Sequence, residues 1–220
     1  MRLLFARHGE SEANVRRVIA NRGAGHPLTE RGRAQAAELA DGVRAEAVTR
    51  IVSSPSRRAA ETAKVVRRVL RLPVELAEEL REFDCGVYQG RSDADAWAAH
   101  AHVQSRWLAG QPEARLAGGE SLIDLKDRFI PFVEGLAASD ARHDEVVLLI
   151  GHGGLFLAVL PEILIGIHPA VARERGLGHG RVIVAEHQSV GRLTCVDWPD
   201  DARSAQGPPV QRETESRHRC

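Results

Sequence analysis

The chain has 220 residues, with 30 Lys+Arg balanced by 30 Asp+Glu and 43% hydrophobic side chains. That size suits one globular α/β domain, and the zero net charge argues against nonspecific nucleic-acid binding, which draws on excess positive charge. Three widely spaced cysteines, Cys85, Cys195 and Cys220, argue against a disulfide framework or a zinc ribbon.

Residues Arg2–Ala6 form a short apolar run ending at Arg7-His8-Gly9, which predicts a buried first strand opening into a loop. The run is too short for a secretory signal, and no stretch approaches a membrane span, so the expected location is a reducing cytoplasm. Thr29 is the expected N-cap of an alanine-rich helix. Ile51-Val52 is a second strand, followed by a helix with Ser54 as N-cap and Pro55 at its first position. Ala59, Ala63, Val66 and Val69 line one face of that helix. Pro73–Ala77 reads as a third strand and Asp93–Leu108 as a helix packed through Trp97 and Trp107. Gly118-Gly119 precedes a helix from Ser121 to Ala138, which Pro131 is expected to kink.

Val146–Ile150 is apolar without alternation, as a central strand covered on both faces requires. Gly151-His152-Gly153-Gly154 follows, then an apolar helix over Leu155–Ile165 that offers a face for a homodimer. Arg181–Glu186 and Arg192–Val196 form a closing strand pair. The alternation predicts a three-layer α/β/α sandwich with a mostly parallel central sheet. One domain is expected over residues 1–198, with a disordered polar tail over 199–220.

Three strand ends carry polar groups: Arg7-His8-Gly9-Glu10-Ser11 with Asn14, Ser53 through Arg58, and Gly151 through Gly154. Ligands of open α/β sheets bind at such carboxyl ends. Two histidines and several arginines there describe an anion site. Arg57 and Arg58 fall in a first helical turn, where a cation opposes the helix dipole and an incoming anion reverses the penalty. Arginine carries nearly all the positive charge, lysine occurring only at Lys64 and Lys126; GC-rich coding explains that bias as well as phosphate chemistry does.

The segment Leu4 to Asn14, with its Arg7-His8-Gly9 core, is similar to the signature of the histidine phosphatase (phosphoglycerate mutase-like) superfamily. Leu28 through Gly32 with Gln35-Ala36, Ser53 through Ala63, Leu80-Arg81-Glu82 with Gly86 and Gln89-Gly90, Gly118 through Ser121, and Gly151 through Gly154 resemble its further motifs in order, over residues 2–196. Gly151 departs from the serine or threonine that many relatives carry. The spacing to Thr62 selects Arg58 over Arg57.

The resemblance implies a phosphoglycerate mutase-like fold and a phosphoryl-transfer site. His8 would be the nucleophile, Arg7, Arg58 and His152 would surround the phosphoryl oxygens, and Glu82 would serve as acid and base. Ser11, Asn14 and Gly153 would bind substrate. Glu120 matches a residue near the site rim. The expected activity is metal-independent hydrolysis of a small phosphorylated metabolite through phosphohistidine, without a cofactor.

A mutase is the alternative, but residues 83–119 lack its longer basic insertion and carry only Arg91, Arg106 and Arg115 as strong cations. A noncatalytic phospho-ligand binding protein is the other alternative, opposed by a competent residue at every catalytic position. Specificity is expected in residues 15–27, 83–119 and 166–180, with Arg16, Arg17, Arg22, Trp97, Trp107 and Arg181 as candidate contacts. The histidines outside the motifs read as surface residues.

Overall fold

The computed structural model describes residues 1–22, 25–137, 144–188 and 192–200. A seven-stranded sheet runs in the order β3-β2-β4-β1-β6-β7-β5. Its strands are β1 (Arg2–Arg7), β2 (Arg50–Ser53), β3 (Val74–Leu76), β4 (Val146–Gly151), β5 (Leu164–Ile165), β6 (Val182–Gln188) and β7 (Arg192–Asp197). The pairs β3–β2, β2–β4, β4–β1 and β5–β7 are parallel; β1–β6 and β6–β7 are antiparallel.

Strand periodicity splits the core in two. Leu3, Phe5, Val147 and Leu149 face one side, where α4 (Ala94–Leu108), α5 (Leu122–Ala137), α6 (Gly153–Ile163) and α7 (Pro169–Arg175) supply their apolar residues. Leu4, Ala6, Leu148 and Ile150 face the other, against α2 (Glu30–Gly42) and α3 (Arg57–Leu70). A short α1 (Glu12–Val15) follows β1. Helices on both faces of β1 and β4 explain why those strands are apolar without alternation. Thr29 caps α2 through Gly32 N–H, and Asp93 caps α4 through Ala96 N–H. Pro131 sits inside α5 and the helix continues to Ala137.

Two sequence expectations need correction. The helix after β2 starts at Arg57, with Ser56 rather than Ser54 in the N-cap position. Ser54 still belongs to the sheet edge, its N–H donating to Ile150 O at 2.8 Å. The apolar segment after β4 is helical only over Gly153–Ile163. Leu164-Ile165 turn extended and pair with β7, because the edge of the sheet offers backbone partners there. The turn residues 189–191 and the segment 201–220 lie outside the described residues. Of the expected tail, Asp200 is described and its carboxylate lies 3.0 Å from Arg175. No helix among the described residues is long and apolar enough to cross a membrane.

Phe5, Phe129 and Phe156 are fully buried, with ring centroids 5.6–6.3 Å apart. They join β1, α5 and α6 behind the strand ends. Phe156→Ala is expected to cost about 3–5 kcal/mol through lost burial and the residual cavity; urea unfolding checks this.

Candidate active site

The three central parallel strands end at one level: Arg7 pairs with Gly151, and Ser53 with Ile150. Their carboxyl ends therefore bring Arg7-His8, Ser53-Ser54 and Gly151-His152 together at the switch between parallel neighbours. His8, Ser54, Arg58 and His152 are all buried, although each is polar.

The tautomer of His8 follows from its partners. Nδ1 lies 2.7 Å from Gly9 O, a pure acceptor, so Nδ1 carries the hydrogen. Nε2 then presents its lone pair, which accepts from Arg58 Nε at 3.0 Å. Burial foremost, then the charges of Arg58, His152 and Arg7, hold this imidazole well below its ordinary range, against a smaller opposing effect of Gly9 O. His8 is thus a neutral imidazole of fixed orientation.

Arg58 is the centre of the constellation. Its Nη1 donates to Ala20 O at 2.6 Å and its Nη2 meets His152 Nδ1 at 3.1 Å. Guanidinium nitrogens only donate, so His152 Nδ1 accepts and its Nε2–H faces Ser54 Oγ at 3.0 Å and Ser56 Oγ at 3.1 Å. Ser54, expected to cap α3, is occupied with His152 instead, as is the Ser56 hydroxyl. Burial, then Arg58, Arg7 and Arg128, keep His152 well below the ordinary histidine range as well. Among the described residues Arg58 has no carboxylate within ion-pair distance. A buried cation left this way is costly unless the site takes an anion. Arg57, in contrast, is exposed and pairs with Glu61 at 2.8 Å, four residues along the helix.

Glu82 stands across a cavity of about 220 Å³ that His8, Arg7, Arg58, Asn14 and Gly153 also line. Its carboxylate accepts from Gly154 N–H at 2.9 Å, Leu155 N–H at 2.7 Å and Phe83 N–H at 3.0 Å. A side chain on residue 154 would sit 2.6 Å from Oε1, so only glycine admits this approach. Gly151 has a similar reason: a Cβ there would lie 2.6 Å from the Phe156 ring, which fills the space a serine or threonine needs.

Ser11 and Asn14 behave as a pair. Asn14 Oδ1 accepts from Ser11 N–H at 3.0 Å and from Ser11 Oγ at 2.8 Å. That assignment leaves the Asn14 amide hydrogens to meet an acceptor in the cavity. Ser11 is fully buried and does not line the cavity, so the structure places it behind Asn14. Arg7 Nη1 donates to Leu177 O at 2.7 Å, which ties it to the loop after α7.

Several functional neighbours were not read from the sequence. Arg128, on α5, donates to Glu79 O at 2.5 Å and to Arg81 O at 2.9 Å. Its Nε meets Glu120 Oε1 at 2.9 Å, and Glu120 Oε2 accepts from Asp84 N–H at 2.8 Å. This clamp grips the backbone on both sides of Glu82, which gives Glu120 a definite structural place. His179, expected at the surface, is half-buried with its ring 5.7 Å from that of His8. Burial, then Arg7, Arg31 and Arg58, lower it to about 3. His100 is likewise half-buried, between Phe83 and Trp97, and burial with Arg173 lowers it to about 4. No motif marks either histidine; their burial arises from tertiary packing alone.

The family model of the histidine phosphatase superfamily (branch 1) matches residues 3–201. A probable phosphoglycerate mutase GpmB of Proteus mirabilis is 31% identical over 175 residues, spanning 80% of this chain and 79% of that protein. A glucosyl-3-phosphoglycerate phosphatase of Mycolicibacterium vanbaalenii is 34% identical over 173 residues, spanning 76% and 75%. Among solved structures, a mycobacterial glucosyl-3-phosphoglycerate phosphatase complexed with VO3 superposes with a TM-score of 0.78 at 30% identity, covering 91% of this chain and 99% of that one. The α-ribazole phosphatase of Shigella flexneri reaches 0.72 at 26% identity, covering 89% and 94%. With His8 bound to the buried Arg58, and with a match along nearly the whole chain, this protein belongs to branch 1 of the histidine phosphatase superfamily.

Proposed function

We propose that the protein hydrolyses small phosphomonoesters through a phosphohistidine on His8, without a metal ion. The observation that carries this reading is the arrangement of His8: a neutral ring with its lone pair turned to the cavity and bound by Arg58. The relatives named as phosphatases of small phosphorylated metabolites support it.

The steps follow from the atoms. Arg58 Nε–H passes from His8 Nε2 to a phosphoryl oxygen, and the Nε2 lone pair so freed attacks phosphorus while the bond to the leaving oxygen breaks. Nδ1–H, held by Gly9 O, stabilises the positive ring this creates. Arg58 and Arg7 meet the equatorial oxygens, whose charge grows in the transition state, and His152 would join them by turning its Nε2–H from Ser54 and Ser56. The protonated carboxyl of Glu82 gives its proton to the leaving oxygen. Its carboxylate then takes a proton from water, the water oxygen bonds to phosphorus, and the P–N bond electrons return to His8. The fixed guanidinium charges do the work a magnesium ion does in other phosphoryl-transfer enzymes.

Hydrolysis is favoured over mutase chemistry by residues 83–119. A mutase must hold its intermediate while phosphoryl returns to it. Of the strong cations in that stretch, Arg91 pairs with Asp93, Arg115 with Asp124, and Arg106 donates to Gln111.

Wild type is expected to turn over p-nitrophenyl phosphate in EDTA, and His8→Ala to abolish turnover while keeping a native melting curve. Arg58→Ala should reduce kcat by about 10²–10³-fold, the loss typical of one transition-state donor. Full activity in His8→Ala would refute the mechanism.

Arg128→Ala should loosen Glu82 and lower kcat by about 10–100-fold with little change in KM. The loss should be larger for alkyl phosphates, whose leaving oxygen needs the proton, than for p-nitrophenyl phosphate. Equal losses on both would show that Arg128 serves stability alone.

The buried histidines also set a pH dependence. His8, His100, His152 and His179 all titrate below an unfolded value of about 6.5. Below that pH the unfolded chain binds more protons than the folded one, so stability falls as pH drops from about 6.5 toward the folded values, about 4 for His100 and about 3 for His179. The melting temperature should therefore decline between pH 7 and pH 5, and His179→Asn should flatten the decline.

A further inference from the structure

Two cavities meet beside His8. The first, about 220 Å³, is the one His8, Arg58 and Glu82 line. The second, about 430 Å³, lies among residues of α4, α6 and α7 and shares Arg7, Gln104, Gly154 and Leu157 with the first. The two cavities therefore adjoin at Arg7, Gln104, Gly154 and Leu157, beside Glu82.

The second cavity sets polar Arg7, Gln104, Glu162 and Arg173 around an apolar middle. Trp107, Leu122, Leu157, Ala158, Pro169 and Leu177 line the second cavity. The Trp107 indole N–H is already bound to Ala114 O at 2.7 Å, and that of Trp97 to Arg17 O at 2.7 Å, so both present only ring surface. His100 packs between Phe83 and Trp97 on the wall of the first cavity, and its lowered pKa keeps that wall uncharged near neutrality. Sugar hydroxyls set against such walls would lose their water without replacement.

The charges at the far end are unequal. Glu162 lines the second cavity but is paired with Lys126 at 3.1 Å. Arg173 lines it too and makes no ion pair with a described residue; its Nη1 lies 3.5 Å from Gln104 Oε1.

We propose that the second cavity receives the leaving group and selects a phosphomonoester of an apolar, ring-sized alcohol that carries an anionic group at its far end for Arg173. This inference rests on the hydrolytic reading above.

The test compares kcat/KM for 2-naphthylmethyl phosphate, 6-carboxy-2-naphthylmethyl phosphate and ribose 5-phosphate, all esters of primary alcohols, with p-nitrophenyl phosphate as reference. The naphthylmethyl esters should exceed the sugar phosphate by roughly a hundredfold, the scale on which unpaired polar groups discriminate. Leu157→Asn should shrink that ratio about tenfold through KM, a change of the size one apolar contact supplies. Arg173→Gln, at an exposed position that leaves the fold intact, should erase the advantage of the carboxylated over the plain naphthylmethyl ester. A wild-type preference for the sugar phosphate, or ratios unmoved in both variants, overturns the inference while hydrolysis stands. Failure of wild type to turn over any ester, p-nitrophenyl phosphate included, removes the hydrolytic reading and this inference with it.

Discussion

The contact of the Arg58 guanidinium with the two histidine rings organises the rest of the site. It places one N–H on His8 Nε2 and another on His152 Nδ1, and it fixes both tautomers because arginine cannot accept. Burying that cation is expensive, so the surrounding structure has to hold it. Thr62 does part of this: its hydroxyl donates to Arg58 O at 2.8 Å and accepts from Gly9 N–H at 3.1 Å. The loop carrying the nucleophile and the helix carrying the cation are thereby joined through one side chain. The burial that disfavours charge on the histidines also strengthens every arginine contact with a phosphoryl group.

The opposite wall is built by a different device. The start of α6 gives the backbone N–H groups of Gly154 and Leu155 to Glu82, while its N-cap residue is His152. One helix end thus positions both Glu82 and His152. Arg128 and Glu120 then fix the loop of Glu82 from the side remote from the cavity. Glu82 is held by main-chain donors, which cannot rotate away.

The fold and the centre of the site were legible because both rest on local pattern. Unbroken apolar runs identified β1 as buried and β4 as central, and the resemblance to the family's arginine motif, with its threonine four residues on, separated Arg58 from its exposed neighbour Arg57. What was not legible depended on tertiary distance. Ser54 and Ser56 have the chemistry of helix caps, and only the approach of His152 from another strand diverts them. His179 and Arg128 carry no motif, and their places follow from chain crossings no spacing encodes. The departure at Gly151 makes sense only beside Phe156, whose ring occupies the space. One feature was readable and went unused: Pro169 at the first turn and Gly176 just past the end of α7, a proline-then-glycine frame that marks a short helix.

The division between what the central strands hold and what the flanking helices hold has a functional consequence. His8 and His152 follow β1 and β4, and Arg58 lies in the first turn after β2, so their mutual geometry is set by backbone pairing in the buried sheet. Gln104, Leu157, Leu177 and Arg173 come from α4, α6, α7 and the loop after it, whose relative placement depends on side-chain packing over one face of the sheet. Substitutions among the second group can reshape the space for a leaving group without moving Nε2 or the guanidinium of Arg58. The sheet-bound His8, Arg58 and His152 can therefore stay fixed while the helix-lined cavity beside them diverges.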